Sequence, residues 1–318
     1  METRKLGAFG DVSALTLGGG GIGAVWGATT REEAAATLRA AVDAGITLLD
    51  LAPMYGSAEQ LVGETFGGEL PDGVRVVTKC RLGNPPDDQV YRRICDSLDA
   101  SLARLRLSRV DALILHGSIE PGAPDDDREP GFGVPACTSL ERYRTAVVPA
   151  FERLVEEGRI GCWGINAIQL APGLLDAGPR PALALCVTNP MDAPGGDIPH
   201  DPDFPMRELI ATVAHAGVGV MGIRVVQAGA LVDVPDRQLD AAVARDYERA
   251  AGFRALAREL GTTAAALAHR YALSMDHVGT VVLGVKNRDE LEECLAAEAA
   301  GPLSADVVAR IDATAARA

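Results

Sequence analysis

Three short runs decide how this chain folds: TLLDL at 47–51, VRVVTK at 74–79 and VDALILH at 110–116. Each has strand length, is rich in Val, Ile and Leu, and carries one polar residue at its C-terminal end: Asp50, Lys79 and His116. Working outward, five more runs have the same character: ALTLG at 14–18, IGCWGI at 160–165, LALCV at 183–187, VGVMGI at 218–223 and GTVVLG at 279–284. Amphipathic stretches separate them, which is the pattern of βα units in a parallel sheet. Eight such strands with no break in composition predict an α/β fold, one (β/α)8 TIM barrel occupying residues 1–318 as a single domain. The first helix is the most sharply marked. Thr30 as N-cap and Glu33 three residues later form a capping box that places it at about 31–44, with Gly45 ending it. Further helices are expected near 57–68, 88–106, 140–157, 205–216, 262–275, 287–299 and 303–316.

The length of 318 residues would also accommodate two ordinary domains, so the strand pattern is needed to choose between them. With 30 Lys and Arg against 44 Asp and Glu, the formal charge of -14 repels phosphate backbones and anionic lipid, which sets aside nucleic acid and membrane partners. No signal-peptide apolar run opens the chain and no uncharged stretch approaches the roughly 18 residues of a membrane span, so a cytoplasmic protein is expected. The cysteines at 80, 95, 137, 162, 186 and 294 form no CxxC pair and read as reduced thiols. Composition does not reveal an oligomeric state.

Three connections exceed the usual two to six residues of α/β loops: 117–139, which contains Asp125, Asp126 and Asp127, 190–204, and 224–247. All three follow the C-terminal end of an expected strand, the face on which barrels build their sites, and together they suggest a lid. An acidic loop there would disfavour anionic substrates relative to neutral ones.

The run GGGGIG at 18–23 satisfies GxGxxG through Gly18, Gly20 and Gly23, and Asp50 stands where a ribose-binding acid would follow. A Rossmann dehydrogenase would, however, require a helix to open at residues 20–24, whereas AVWGATT intervenes before the capped helix at 31. Glycines at a strand end can equally let a flat cofactor ring approach the backbone.

Asp50, Tyr55, Lys79 and His116 are the informative group. Singly, each has an ordinary explanation as a cap, a loop aromatic, a snorkelling amine or a satisfied polar residue. Adjacent strands of a parallel barrel lie about 4.8 Å apart, so the ends of these three strands converge on one edge of the mouth. There Lys79 would favour ionisation of the Tyr55 phenol and bring proton transfer towards neutral pH, Asp50 would compensate the buried ammonium, and His116 would donate to a carbonyl oxygen gaining negative charge. No metal site is expected, because HExxH is absent and His200, His215, His269 and His277 lack ligand spacing; GxSxG and GxxxxGKS/T are absent too.

From LTLGGGGIG through LLDLAPMYGSAEQLVG, VVTK and LILH to VVLGVKNRDELEE, the chain resembles the aldo-keto reductase superfamily, nearer its sugar-dehydrogenase-like branch. Asp50, Tyr55, Gly56, Glu59 and Gly63 fall at the family spacing. The resemblance implies a barrel that uses NAD(P)(H) without a Rossmann domain, with Tyr55 as general acid for carbonyl reduction and general base for alcohol oxidation. It implies Gly19 and Gly20 beside the nicotinamide and Trp26 in the substrate pocket with Tyr55 and His116. Of the usual Ser-Asn pair after strand five the chain has Asn166 followed by Ala167; the Gln of strand six is missing, and Ile223 followed by Arg224 replaces a ring-stacking Tyr. Gly229 and Leu231 match a GxL turn. After strand eight, Gly284, Lys286, Asn287 and Arg288 fall where the family holds the adenosine 2'-phosphate, so NADP(H) is preferred with NAD(H) not excluded. Glu293 matches an adenine contact, while Cys294 replaces an Asn. The implied reaction interconverts an aldehyde, ketone or sugar lactol with its alcohol or lactone; the alternative is a non-catalytic cofactor-binding subunit of a larger assembly.

Overall fold

In the computed structural model, which describes residues 1–126, 136–176, 178–196, 198 and 205–315, eight strands form a closed parallel barrel. The barrel strands are Leu15–Gly18 (β1), Leu48–Asp50 (β2), Arg75–Cys80 (β3), Val110–Leu115 (β4), Ile160–Asn166 (β5), Leu183–Val187 (β6), Gly219–Ile223 (β7) and Val278–Leu283 (β8). They pair in sequence order, and β8 closes onto β1 through Val281 opposite Leu15 and Leu283 opposite Leu17. All eight expected runs are strands.

Alternation along each strand sorts its residues into two cores. Leu48, Val77, Ala112, Ile114, Leu183, Leu185 and Met221 pack together inside the barrel. Leu49, Leu51, Val76, Cys80, Leu113 and Leu115 face outward and pack with the surrounding helices. A small antiparallel hairpin, Thr3–Lys5 with Asp11–Ser13, was not anticipated. It carries Leu6 and Val12 into the inner core and so covers the end of the barrel where the strands begin.

The helices come close to expectation, at Arg31–Asp43, Ala58–Thr65, Asp87–Leu105, Leu140–Glu156, Met206–His215, Ala264–Leu273, Arg288–Ala299 and Ala305–Ala315, with a π turn at Tyr143–Val147 inside the fourth. Two readings need correction. The 224–247 connection is shorter than expected, because Asp240 accepts from Val243 N at 2.9 Å and caps a helix Ala241–Arg249, followed by another at Ala251–Glu259. The 117–139 connection includes two short paired strands, Ser118–Glu120 and Cys137–Ser139; Asp127 and His200 lie outside the described residues.

The glycine run also behaves differently. A single turn of helix does open there, Gly19–Ile22, so helix position alone would not have separated the two dinucleotide-binding folds; the closed barrel does. Its glycines are needed by the protein's own backbone. A Cβ on Gly23 would collide with the Tyr55 carbonyl, one on Gly56 (φ 55°) with the Gly23 carbonyl, and one on Gly21 with the carbonyls of Gly284 and Val285. The run is therefore wedged between the Tyr55 loop and the end of β8. Gly23→Ala is expected to destabilise by about 1–3 kcal/mol through overpacking, whereas Gly122→Ala, where an added Cβ meets nothing within 4 Å, should be near neutral; denaturant unfolding of the two variants checks this.

Candidate active site

The inward series on neighbouring strands runs 48 and 50 on β2, 77 and 79 on β3, and 112 and 114 on β4, with His116 next in phase. Asp50, Lys79 and His116 thus extend the apolar layers of the barrel interior upward into its C-terminal mouth. Lys79, fully buried, donates to Asp50 Oδ1 at 2.6 Å and to the Leu51 carbonyl at 2.9 Å. Its Nζ also lies 4.6 Å from the centroid of the Tyr55 phenol ring. The His116 ring meets that of Tyr55 edge-on at 5.9 Å, and the His116 backbone N–H donates to the Cys80 carbonyl at 2.7 Å.

Tyr55 is held from behind. Its N–H bonds the Ala52 carbonyl, its carbonyl accepts from Ala58, and Gly56 supplies the left-handed turn that starts the helix Ala58–Thr65. On that helix the buried Glu59 accepts from Thr78 Oγ1 at 2.5 Å and from Arg104 Nε at 2.7 Å. Thr78 immediately precedes Lys79, so this brace sets the Tyr55 loop against the lysine. Glu59 was legible only as a spacing match; its brace depends on Thr78 facing outward from β3.

The electrostatics depart from expectation at Tyr55. Burial raises its pKa, and the Lys79 charge pulling it down does not compensate, so the phenol stays protonated above the ordinary tyrosine value. Burial pulls Lys79 down, but Asp50 and Tyr55 lift it above the ordinary amine value and it remains an ammonium. Burial pushes Asp50 up, with Lys79 opposing, so its carboxylate relies on the lysine. His116 is pushed down to about 3, first by burial and then by the charges of Lys79 and Arg81, so it is a neutral imidazole; its Nδ1 is buried without a partner.

The rim residues are distributed unevenly. Asn166 ends the inward series of β5, and its Oδ1 is buried with no partner, so a donor such as a carboxamide N–H would complete it. Trp26, 36% exposed, lies over Gly20 and near Gly284, while Gly19 abuts Leu51, Ala58 and the Tyr55 ring. Ile223 packs against the inner core at the end of β7. Arg224 follows with φ 57° and donates to the Pro194 carbonyl. Gln227 and Ala228 also have positive φ. This strained turn is gripped by Asn189, which donates to the Arg224 carbonyl at 3.2 Å and to Gln227 Oε1 at 2.6 Å, and by Asp246, which accepts from Gln227 Nε2 at 3.2 Å and from Gly196 N at 2.7 Å. No motif in the sequence signals that network. At Gly229 and Leu231 both N–H groups bond the Val226 carbonyl, and the Leu231 side chain is fully buried.

The corner after β8 holds a second surprise. Glu33 N donates to Thr30 Oγ1 at 3.1 Å, giving half of the expected capping box, but the Glu33 carboxylate turns away to Arg288, accepting from its N at 2.9 Å, Nε at 3.1 Å and a guanidinium NH2 at 2.9 Å. Lys286 pairs with Asp236 at 3.0 Å and with Glu290. Asn287 Oδ1 caps the last helix but one through Glu290 N at 2.9 Å. The Glu293 carboxylate accepts from Thr263 at 2.6 Å. In the acidic loop, Asp125 pairs with Arg142 at 3.0 Å. Among the described residues no group of three or more His, Cys, Asp or Glu side chains could hold a metal ion, and no helix is long and apolar enough to cross a membrane.

Removing one partner of a buried pair strands the other charge. Asp50→Asn is therefore expected to cost about 3–5 kcal/mol, while Asp125→Asn, at an exposed pair, should cost about 0.5 kcal/mol or less; urea midpoints of the two variants test the difference. Because His116 stays neutral, kcat/KM should show no ionisation near 6.5, where a free imidazole titrates; a break there in a pH profile from 5 to 8 would contradict the assigned environment.

Comparison with known proteins places this geometry. The chain is 27% identical to L-galactose dehydrogenase of Arabidopsis thaliana over 312 residues, covering 93% of this chain and 88% of that protein. It is 29% identical to methylglyoxal reductase YeaE of Escherichia coli (strain K12) over 191 residues, covering 59% of this chain and 58% of that one. The fold superposes on the glycerol dehydrogenase AKR11B4 from Gluconobacter oxydans with a TM-score of 0.71 at 20% identity, covering 99% of this chain and 95% of that one. On the aldo-keto reductase AKR11C1 from Bacillus halodurans (holo form) the TM-score is 0.67, again at 20% identity, covering 99% of this chain and 96% of that one. The profile of the Aldo/keto reductase family matches residues 14–316, and the chain, an oxidoreductase by that membership, belongs to this family.

Proposed function

We propose that the chain interconverts an aldehyde, ketone or sugar lactol with its alcohol or lactone by hydride transfer, with Tyr55 as the proton donor and acceptor. The observation that carries this reading is the buried Lys79 ammonium paired with Asp50 beside the Tyr55 phenol, with the neutral His116 ring edge-on to that phenol. When bound, NAD(P)(H) supplies or accepts the hydride. The unpartnered Asn166 Oδ1 supports a carboxamide at this end of the mouth. His116 orients the carbonyl oxygen, and the protonated Tyr55 passes its proton to that oxygen as negative charge develops. Lys79 stabilises the phenolate left behind, and Asp50 keeps the buried lysine charged.

A sugar or comparable polyol is the favoured substrate class, because the similarity to a galactose-oxidising dehydrogenase spans nearly the whole chain. The long connections at the C-terminal face would shape that choice, and a neutral substrate suits the acidic 117–139 loop. The cytoplasm, with its nicotinamide pools and reducing poise, suits six free cysteines.

Tyr55→Phe removes the transferable proton and keeps the ring. It is expected to lower kcat by roughly 100-fold or more while cofactor affinity changes little; turnover within a factor of about three would exclude Tyr55 as proton donor. The raised Tyr55 pKa also fixes a sign. The protonated acid persists to alkaline pH, so carbonyl reduction should be flat from pH 6 to 9, whereas alcohol oxidation, which needs the phenolate, should rise with pH across the same range. Initial rates in both directions at constant ionic strength measure this.

A further inference from the structure

The two cations expected to grip a 2'-phosphate are already occupied. Arg288 gives its backbone N–H, Nε and one guanidinium NH2 to the single carboxylate of Glu33. Lys286 gives its ammonium to Asp236 and Glu290, and its backbone N–H to Glu290 Oε2 at 2.8 Å. The N–H of Glu290 is taken by Asn287. Three carboxylates therefore surround two cations, and a phosphate would compete with the chain's own acids for Arg288 Nε, one Arg288 NH2 and the Lys286 ammonium. A phosphomonoester arriving at Arg288 would lie beside the Glu33 carboxylate, which is held there by its place in the first turn of the neighbouring helix Arg31–Asp43.

We propose that Glu33, with Asp236 and Glu290, makes this corner a site for an unphosphorylated adenosine ribose, so that the enzyme selects NAD(H) over NADP(H). The proposal rests on the cofactor reading above and reverses the preference expected from Lys286 and Arg288 as formal charges. A ribose diol can donate to the outer lone pairs of the Glu33 carboxylate, which a phosphate, an acceptor only at its ionised oxygens, cannot. Placing like charges together at such a contact disfavours the phosphorylated cofactor.

The experiment titrates the full-length chain with NADH and with NADPH at low salt, following quenching of tryptophan fluorescence; Trp26 lies beside Gly20 and Gly284 at the mouth. NADH is expected to bind about tenfold or more tightly than NADPH, a gap of about 1.4 kcal/mol. Glu33→Gln should shift the ratio of the two affinities at least about fivefold towards NADPH, and Asp236→Asn, at an exposed side chain away from the helix start, should shift it in the same direction by less. NADPH binding as tightly as NADH to the unmodified protein overturns the proposal, as does a ratio unchanged in both variants. Absence of binding by either cofactor would instead remove the nicotinamide reading on which the proposal stands, and the proposal with it.

Discussion

The ion pair between Lys79 and Asp50 is the constraint around which the mouth is organised. Both side chains are withdrawn from water, with 0% and 3% of their side-chain surface left exposed. Desolvating two charges is costly, and a buried pair of this kind adds little net stability compared with well-packed apolar residues. Its consequences are geometric. Lys79 needs more acceptors than one carboxylate oxygen provides; the Leu51 carbonyl supplies another, and the Tyr55 ring lies 4.6 Å from the ammonium. That requirement fixes where the chain can go on leaving β2. The Glu59 brace to Thr78 then ties the helix after Tyr55 to the strand that carries the lysine. Two successive strands and the loop that carries Tyr55 are thereby tied to a single ammonium group, and the proposed acid-base chemistry falls where they converge.

The rest of the rim is built by different means. At the end of β1 the backbone itself fills the space, and the absence of Cβ atoms at Gly21, Gly23 and Gly56 lets carbonyl groups from three segments approach one another. At the end of β7 the backbone is instead bent through positive φ at Arg224, Gln227 and Ala228, none of them glycine. Such conformations each carry a cost and persist only where surroundings over-determine them. Here the Asn189, Gln227 and Asp246 side chains do so, by hydrogen bonds drawn from the 189–196 segment and from the helix Ala241–Arg249. The turn is thus as fixed as the glycine-rich one, although the sequence around it has no motif that says so.

This contrast explains what could be read in advance. The barrel was legible because alternation within short apolar strands is a local property, and the same alternation carries Asp50, Lys79 and His116 inward once the apolar layers below them are assigned. Tyr55, adjacent to the glycine that turns the chain into a helix, was legible by motif. What could not be read were partnerships made across the fold. GGGGIG matched a phosphate loop in pattern, yet its neighbours are the protein's own carbonyls. Glu33 matched a capping box, yet its carboxylate crosses to a residue 255 positions away in sequence. The hairpin at the chain start has too few residues to show a period, and its role appears only when Leu6 is seen inside the barrel.

Charge offers the same lesson at a different scale. A net charge of -14 describes the field far from the surface, and that field is screened beyond about 8 Å at physiological ionic strength. Within the mouth the neighbours matter more. Lys79 and Arg81 both act on His116 to keep it uncharged, and Lys79 and Arg224 both act on the Tyr55 hydroxyl to favour its ionised form against burial. An acidic protein therefore sets cationic side chains around the phenol and the imidazole of the proposed active site. At the 286–290 corner the inversion runs the other way, since two basic residues lie among three acids and offer little to an anion. In each place the sign that governs binding is set by which side chains are within hydrogen-bond reach, and only the folded arrangement determines that.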